Sequence, residues 1–367
     1  MHVLFVFNHP APYKVKLFNE LSKAIQVSAI FERLKNKDRN PLFYESRELL
    51  FKNVRIKGIN LGLENHFSRG IVDYIKNNKF DIIVMNGWHT FSEMMAINYL
   101  KKHHIPYLFY INGGIIKSHE PKVMKKIKTY FISGADLYFS PDENSNNYLT
   151  YYGADASKIV NYPYSTIYDS EVLKQTTSIK EKTELRKALN IKGEKVFVSC
   201  GQFIPRKNHT RLIKYWSKQP ENNHLLIIGG GKEKNKYLKL ISSLGIKNVK
   251  ILDFMTRNNL FMYFKAADAY IFPSKEDIYG HVINEALSQG LPVISNKGVN
   301  SALRLIKNGE NGYIVDINQD EEIDNAIVNV LNKPEMQNNA LDTSRENTLE
   351  IMAKVHLEAF HNWVNKK

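Results

Sequence analysis

The sequence predicts an α/β protein of two domains, each a parallel sheet flanked by helices, with a ligand cleft between them. Three observations carry this expectation. Apolar runs of strand length alternate with helical patterns along most of the chain, as in sheets joined by crossover helices. The alternation pauses around Tyr162-Pro163-Tyr164-Ser165 and then starts again. The length, 367 residues, exceeds one ordinary core and suits two.

In the first half, apolar runs at 2–7, 26–31, 82–86, 106–111 and 137–139 read as strands. Helical patterns at 13–24, 91–102 and 122–133 lie between them. After the pause, 179–189 reads as a charged helix. Then come strand 195–200, helix 208–218, strand 224–228, helix 232–244, strand 249–252, helix 257–266, strand 269–272, helix 281–289 and strand 292–295. The tail, 344–367, reads as one long helix. Two Rossmann-like halves follow, and ligands of such sheets bind beyond the carboxyl ends of the strands. No short-period repeat is visible.

Composition excludes several classes. Cys200 is the single cysteine, which rules out disulfide frameworks and cysteine-based zinc sites. The apolar run after Met1 is too short for a signal-peptide core and lacks a cleavage site, so it reads as a first buried strand. No apolar run is long enough to span a bilayer, and the expected compartment is the cytoplasm. The formal net charge of +14 attracts polyanions such as nucleic acid, anionic lipid or phosphorylated substrates. No helix-turn-helix, zinc spacing or aromatic RNA-binding pattern is present, so nucleic acid is not an expected partner. Residues 122–131 form a basic amphipathic pattern in which Met124, Ile127 and Phe131 share a face. A core-facing helix with a lysine exterior and a membrane-surface helix both fit it.

Two stretches carry chemistry. In 275–296, Gly280 precedes an apolar helix with Asp277 before it and Glu285 within its second turn. A glycine there lets a ligand approach the backbone. The N–H groups of His281, Val282 and Ile283 would point outward at the positive end of the helix, a ready anion site. The loop can place Asp277 over the helix mouth. Carboxylates beside an anion site suit a ligand with a phosphate and several hydroxyls. In 199–208, Gly201-Gln202 follows the strand 195–200, and Arg206-Lys207 sits in the turn before a helix. That turn faces the same side of the sheet as Gly280, so a diphosphate between them is the natural ligand.

These residues resemble the retaining glycosyltransferases of family 4, with the GT-B fold of two Rossmann-like domains facing a central cleft. The resemblance rests on Pro273-Ser274, Asp277, Glu285-Ala286 and Gly290-Leu291-Pro292-Val293. Gly201 with Lys207, Ala267-Asp268 and Asn308-Gly309-Glu310-Asn311-Gly312-Tyr313 agree with it. The opening Asn8–Leu21 resembles the acceptor-side start of bacterial polysaccharide members. It implies an acceptor-binding domain at 1–166, with helix 346–367 packing back on it, and a donor-binding domain at 167–345. Glu285 would hold the nucleotide ribose, and Asp277 the hydroxyls of the donor sugar. Lys207, with Arg206, would neutralise the leaving diphosphate. Gly201, Gln202 and the backbone of Gly280, His281 and Val282 would line the donor site. Pro12, Tyr13, Lys14, Asn112 and Gly113 fall on the acceptor side.

Three departures from the family pattern stand out. Asp277 replaces the usual Glu, Gln202 stands where Arg is frequent, and the stretch Tyr110–Gly114 lacks the histidine that many members carry. No Asp-x-Asp follows a strand in the expected place, so neither metal nor cofactor is expected. The implied reaction moves a sugar from a nucleotide sugar, UDP-linked, to a lipid-linked or polysaccharide acceptor. Implied partners are that donor, a glycan or polyprenyl-diphosphate-linked acceptor, and the anionic inner face of the plasma membrane. A nucleotide-sugar epimerase of the same fold is the alternative, and a basic nucleic-acid-binding protein a remote third.

Overall fold

The computed structural model describes residues 1–33, 48–61, 65–116 and 119–366. The chain forms two compact units, Met1–Thr166 with Leu349–Lys367, and Ile167–Thr348.

The first unit runs β1 (His2–Phe7), α1 (Pro12–Ser22), β2 (Gln26–Phe31), β3 (Lys52–Val54), β4 (Ile59–Leu61), β5 (Asn65–Phe67), α2 (Gly70–Asn77), β6 (Ile82–Met85), α3 (Phe91–Lys102), β7 (Leu108–Tyr110), α4 (Lys122–Ile132), β8 (Leu137–Ser140), α5 (Glu143–Tyr151) and β9 (Ile159–Asn161). Its main sheet has the order β3-β2-β1-β6-β7-β8-β9, and each neighbouring pair is parallel. Strand β1 is buried from Val3 to Phe7, as its unbroken apolar run requires of a strand covered on both faces. Helix α3 starts where it does because Thr90 and Glu93 form a reciprocal capping box.

The second unit runs α6 (Ile179–Ala188), β10 (Lys195–Gln202), α7 (His209–Trp216), β11 (Asn223–Gly230), α8 (Lys234–Ser243), β12 (Val249–Asp253), α9 (Arg257–Ala266), β13 (Ala269–Phe272), α10 (Val282–Ser288), β14 (Val293–Asn296), α11 (Asn300–Leu305), β15 (Gly312–Val315), α12 (Asp320–Asn332) and α13 (Met336–Arg345). The chain then returns to the first unit as α14 (Leu349–Asn365). The second sheet has the order β12-β11-β10-β13-β14-β15 and is parallel throughout. Val196, Val198 and Cys200 of β10 enter one core cluster, while Phe197 enters the other. Successive residues of a strand face opposite sides, so the sheet is buried on both.

Both sheets reverse strand order once, between β1 and β6 and between β10 and β13. In open parallel sheets that switch point opens a crevice at the carboxyl ends of the strands. The topology thus singles out the turns after β1, β6, β10 and β13 before any chemistry is considered.

Most predicted elements appear within a few residues of their expected bounds. The tail does not form the single helix expected over 344–367. Helix α13 ends at Arg345 and α14 starts at Leu349. Asn347 causes the break: its side chain donates to Thr343 O at 2.8 Å, and its carbonyl accepts Asn284 Nδ2 at 2.7 Å. Both contacts compete with helix continuation. Lys367 lies outside the described residues. Helix α14 joins the first core through Phe360 and His356, whose ring stacks on Phe139 at 4.5 Å.

Helix α4 decides between the two readings of its apolar stripe. Met124 and Ile127 are 41% and 37% exposed and Val123 is 69% exposed, so the stripe does not face the core. Only its far end is covered, where Phe131 stacks on Trp88 and Ile132 is buried.

A buried polar cluster lies at the carboxyl side of the first sheet. The Thr90 hydroxyl donates to Glu32 Oε1 at 2.7 Å, and the Glu93 carboxylate accepts the N–H groups of His89 and Thr90 at 2.7 and 3.1 Å. Lys14 Nζ sits 3.9 Å from the centre of the Phe7 ring. Burial pushes both carboxyls above their ordinary range, and for Glu32 the neighbouring Glu93 adds to the push. Burial also pulls Lys14 down to about 7, with Glu93 acting the other way. A carboxyl whose folded pKa is raised adds stability that is complete below its unfolded pKa and is lost as pH rises through the folded value. Glu32→Gln keeps an acceptor for Thr90 but cannot ionise. Thermal unfolding should therefore lose less stability between about pH 5 and 7 in Glu32→Gln than in the unaltered protein. Equal slopes in the two proteins would contradict this assignment.

Candidate donor site of the second unit

The site is assembled from two turns that flank the switch point. After β10, Pro205–Lys207 form a 3-10 turn, and Asn208 adopts φ 61° before α7 begins. Asn tolerates this left-handed conformation better than most residues, and it redirects the chain so that Arg206 and Lys207 precede the helix. The Lys207 stem crosses Gly201, where an added methyl would sit 3.6 Å from Cδ and Cε. Gly229 at the end of β11 is obligatory, because a Cβ there would lie 1.9 Å from Gly201 O.

The turn after β13 is latched to the first. Arg206 O accepts Lys275 N at 2.9 Å, and the Arg206 guanidinium donates to Glu276 O at 2.8 Å. Lys207 Nζ donates to Asp277 Oδ2, and Arg206 stands 3.5 Å from the same oxygen. Lys207 Nζ also lies 4.4 Å from the centre of the Phe272 ring. Asp277 is held from behind, since its N–H donates to Gly298 O at 3.0 Å. The loop therefore fixes Asp277 against Lys207 rather than leaving it to swing.

The two partners shift in the same direction for different reasons. Burial pulls Lys207 below the ordinary lysine range, and Asp277 offsets this only in part. Burial alone would raise Asp277, but Lys207, Arg206 and the Tyr279 N–H outweigh it and hold the carboxyl low.

Gly280 has φ 93°, a conformation that L side chains rarely adopt. The helix mouth differs from expectation. Helix α10 starts at Val282, which puts Glu285 in its first turn, and the Ile283 N–H is taken by Gly280 O at 3.1 Å. The predicted row of three outward N–H groups is thus shortened, because the tight Gly280 turn consumes one of them. The His281 ring lies 5.1 Å from that of Tyr279. Glu285 does not join Asp277; its Oε1 stands 3.8 Å from Arg257 NH2. Arg257, at the start of α9, also approaches Glu171 at 3.7 Å. Sequence reasoning missed both residues, since neither belongs to a recognisable motif. Gln202 ends β10, paired with Gly230.

In the first unit, the expected acceptor-side residues meet partners that were not foreseen. Pro12 opens α1, and the Tyr13 ring packs edge-on against Tyr164 at 5.4 Å. Asn112, which precedes Gly113, donates to Asn86 Oδ1 at 3.3 Å and accepts the Tyr164 hydroxyl at 2.9 Å. Lys14 is buried in the polar cluster described above. Asn86 fell inside the expected strand 82–86 and was not singled out, because β6 ends one residue earlier, at Met85; Tyr164 was noticed only as part of the pause in the pattern.

Among the described residues, no group of three or more His, Cys, Asp or Glu side chains stands close enough to hold a metal ion.

Residues 181–347 match the model of the family described as "Glycosyl transferases group 1". This region belongs to the group 1 glycosyl transferases. The lipopolysaccharide core biosynthesis glycosyltransferase LpsE of Rhizobium meliloti is 30% identical over 137 residues, 37% of this chain and 39% of that one. The O-antigen biosynthesis glycosyltransferase WclY of Escherichia coli is 22% identical over 293 residues, 77% of this chain and 79% of that one. The chain spans less than half the length of the first curated relatives it matches, 43%, 39% and 47%. Among solved structures, the Anabaena protein HepE in complex with UDP superposes with a TM-score of 0.77 at 16% identity, covering 99% of this chain and all of that one. The fold is GT-B, and the glycosyl transferase region supplies both latched turns and Glu285.

The Lys207–Asp277 pair makes a stability prediction. Removing one partner of a largely buried pair costs roughly 3 kcal/mol, because the other charge is stranded. Lys207→Met and Asp277→Asn should each destabilise the protein by about that much, and the double variant by less than the sum, with a coupling of about 1–3 kcal/mol. Urea unfolding of the four proteins checks this, and strict additivity would disprove the pairing.

Proposed function

We propose that the protein is a retaining hexosyltransferase that moves a sugar from a nucleotide sugar, UDP-linked, to a lipid-linked or polysaccharide acceptor in cell-surface glycan synthesis. The observation that carries this reading is the latched pair of turns in the group 1 region, with Lys207, Arg206 and Asp277 together and Glu285 on the next helix. The acceptor hydroxyl bonds to the anomeric carbon on the face from which the diphosphate leaves. The sugar–phosphate C–O bond breaks, and the hydroxyl proton passes to the departing phosphate oxygen. No enzymic nucleophile is needed. Lys207 and Arg206 stabilise the charge that develops on that oxygen, and no divalent ion is required. Asp277 accepts hydroxyls of the donor sugar, Glu285 those of the ribose, and Gly280 gives the donor access to the backbone. A UDP donor is supported by HepE, which was crystallised with UDP.

A thermal-shift screen of UDP, GDP, ADP and their sugar conjugates in EDTA tests the donor site. One nucleotide family should raise the melting temperature, and Glu285→Ala should abolish the shift. Absence of any shift, or dependence on added manganese, would refute the reading.

The second part of the proposal is peripheral docking of the first unit on the inner leaflet of the plasma membrane. No helix among the described residues is long and apolar enough to cross a membrane. Helix α4 instead exposes Val123, Met124, Ile127 and Tyr130 among Lys122, Lys125 and Lys126, a combination suited to an anionic lipid surface. The protein should float with vesicles containing anionic lipid and not with neutral ones. Val123→Ser with Ile127→Ser should weaken this flotation without changing nucleotide binding. Flotation indifferent to lipid charge would count against α4 docking.

A further inference from the structure

We infer that Arg257 is a positioning residue for the nucleotide: it fixes the Glu285 carboxylate for the ribose hydroxyls, and Glu171 fixes it in turn. This rests on the proposed role of Glu285 as the ribose acceptor.

The geometry is three-sided. Arg257 is largely buried, with 16% of its side chain exposed. Its NH2 stands 3.8 Å from Glu285 Oε1, and its Nε stands 3.7 Å from Glu171 Oε1. The guanidinium carbon lies 5.3 Å from the centre of the Phe261 ring, one helical turn along α9. Glu171 is itself held, since its second carboxylate oxygen accepts Tyr168 N at 2.8 Å. The backbone around it is tied to the end of α10: Gln289 Nε2 donates to Glu171 O at 3.0 Å, and Leu173 N donates to Ser288 O at 3.0 Å. The start of the second unit, α9 and α10 are thereby bound to one guanidinium.

This arrangement suits a diol more than an anion. A glutamate side chain left to sample rotamers must be ordered when a ligand arrives. Arg257 orders Glu285 beforehand, and one contact at Oε1 does not exhaust the acceptor capacity of a carboxylate. Charge then sets the direction of the ligand. Glu285, Glu171 and Arg257 sum to one negative charge, while Lys207, Arg206 and Asp277 sum to one positive charge. A nucleoside diphosphate would place its ribose at the first group and its phosphates at the second.

The test compares two ligands by calorimetry on the full chain. One is whichever of UDP, GDP or ADP stabilises the unaltered protein; the other is its 2′,3′-dideoxy counterpart. The unaltered protein should prefer the ribonucleotide by about tenfold or more, as hydrogen bonds to a charged acceptor allow. Glu285→Ala should abolish that preference. Arg257→Gln should reduce it at least about threefold, and Arg257→Lys by less, since lysine keeps the charge while losing the planar guanidinium. Glu171→Gln should reduce it as well, and it decides the matter if the Arg257 variants fail to fold. A merely structural role would weaken both ligands alike and leave the ratio unchanged, which would overturn the inference. If Glu285→Ala leaves the ratio intact, the ribose reading fails and the inference with it. If Glu285→Ala abolishes the ratio but Arg257→Gln and Glu171→Gln preserve it, the ribose reading stands and only the positioning role falls. Binding of none of the three nucleotides would overturn both.

Discussion

A lysine ammonium largely removed from water persists only beside an anion. Lys207 is so placed, and Asp277 is its anion. The pair links the turns after β10 and β13, the two strands that flank the reversal of order in the second sheet. Around it the backbone zips: Arg206 O accepts both Lys275 N and the Ser274 hydroxyl. The shape of the site is therefore set by the protein itself. Asp277 balances one of the two cations, and a net positive charge remains beside a fixed carboxylate. Under the proposed reaction that remainder is what a departing diphosphate meets, already oriented and with little water to reorganise.

The same economy of charge runs along α10. Had both carboxylates gathered at the helix mouth, they would have repelled the phosphate they were expected to help bind. The structure gives them different cations: Asp277 has Lys207 and Arg206, whereas Glu285 shares Arg257 with Glu171. Under the proposed function, this alternation of cations and anions would orient a ligand with a charged end and a hydroxyl-bearing end.

Much of this was legible in the sequence, and the reasons differ by element. Strands β1, β2 and β13 were found at their observed bounds because strands buried on both faces read as continuous apolar runs. Short edge strands such as β3 and β9 were missed because three residues carry no periodicity. The single tail helix was wrong because its break depends on Asn347 meeting Asn284, a residue far away in sequence. Asp277, Lys207 and Glu285 were legible from local spacing around glycine and helix starts. Their pairing was not, because Lys207 and Asp277 meet through the sheet order and not through proximity in the chain. Arg257 was invisible for the same reason: an arginine at a helix start is unremarkable until the fold places two carboxylates beside it.

The two units share one strand order and use it differently. In both, the sheet reverses beside its first strand, so in both the turn after that strand approaches the switch point. In the second unit this turn carries Arg206 and Lys207, both beside Asp277. In the first it leads to Lys14, which burial pulls down to about 7, near Glu93, whose own carboxyl burial raises. Burial opposes the charge of both lysines, and what differs is the partner: Lys207 has Asp277 in direct contact, whereas Lys14 lies against the Phe7 ring. The first unit offers neutral groups beside it instead: the Asn86, Asn112 and Tyr164 chain and the Tyr13 ring. Neutral donors and acceptors suit uncharged hydroxyls, whereas fixed charges suit a diphosphate. Topology alone would make the two edges equivalent; what separates them is the side chains their turns carry, an ion pair at one and an amide–tyrosine chain at the other.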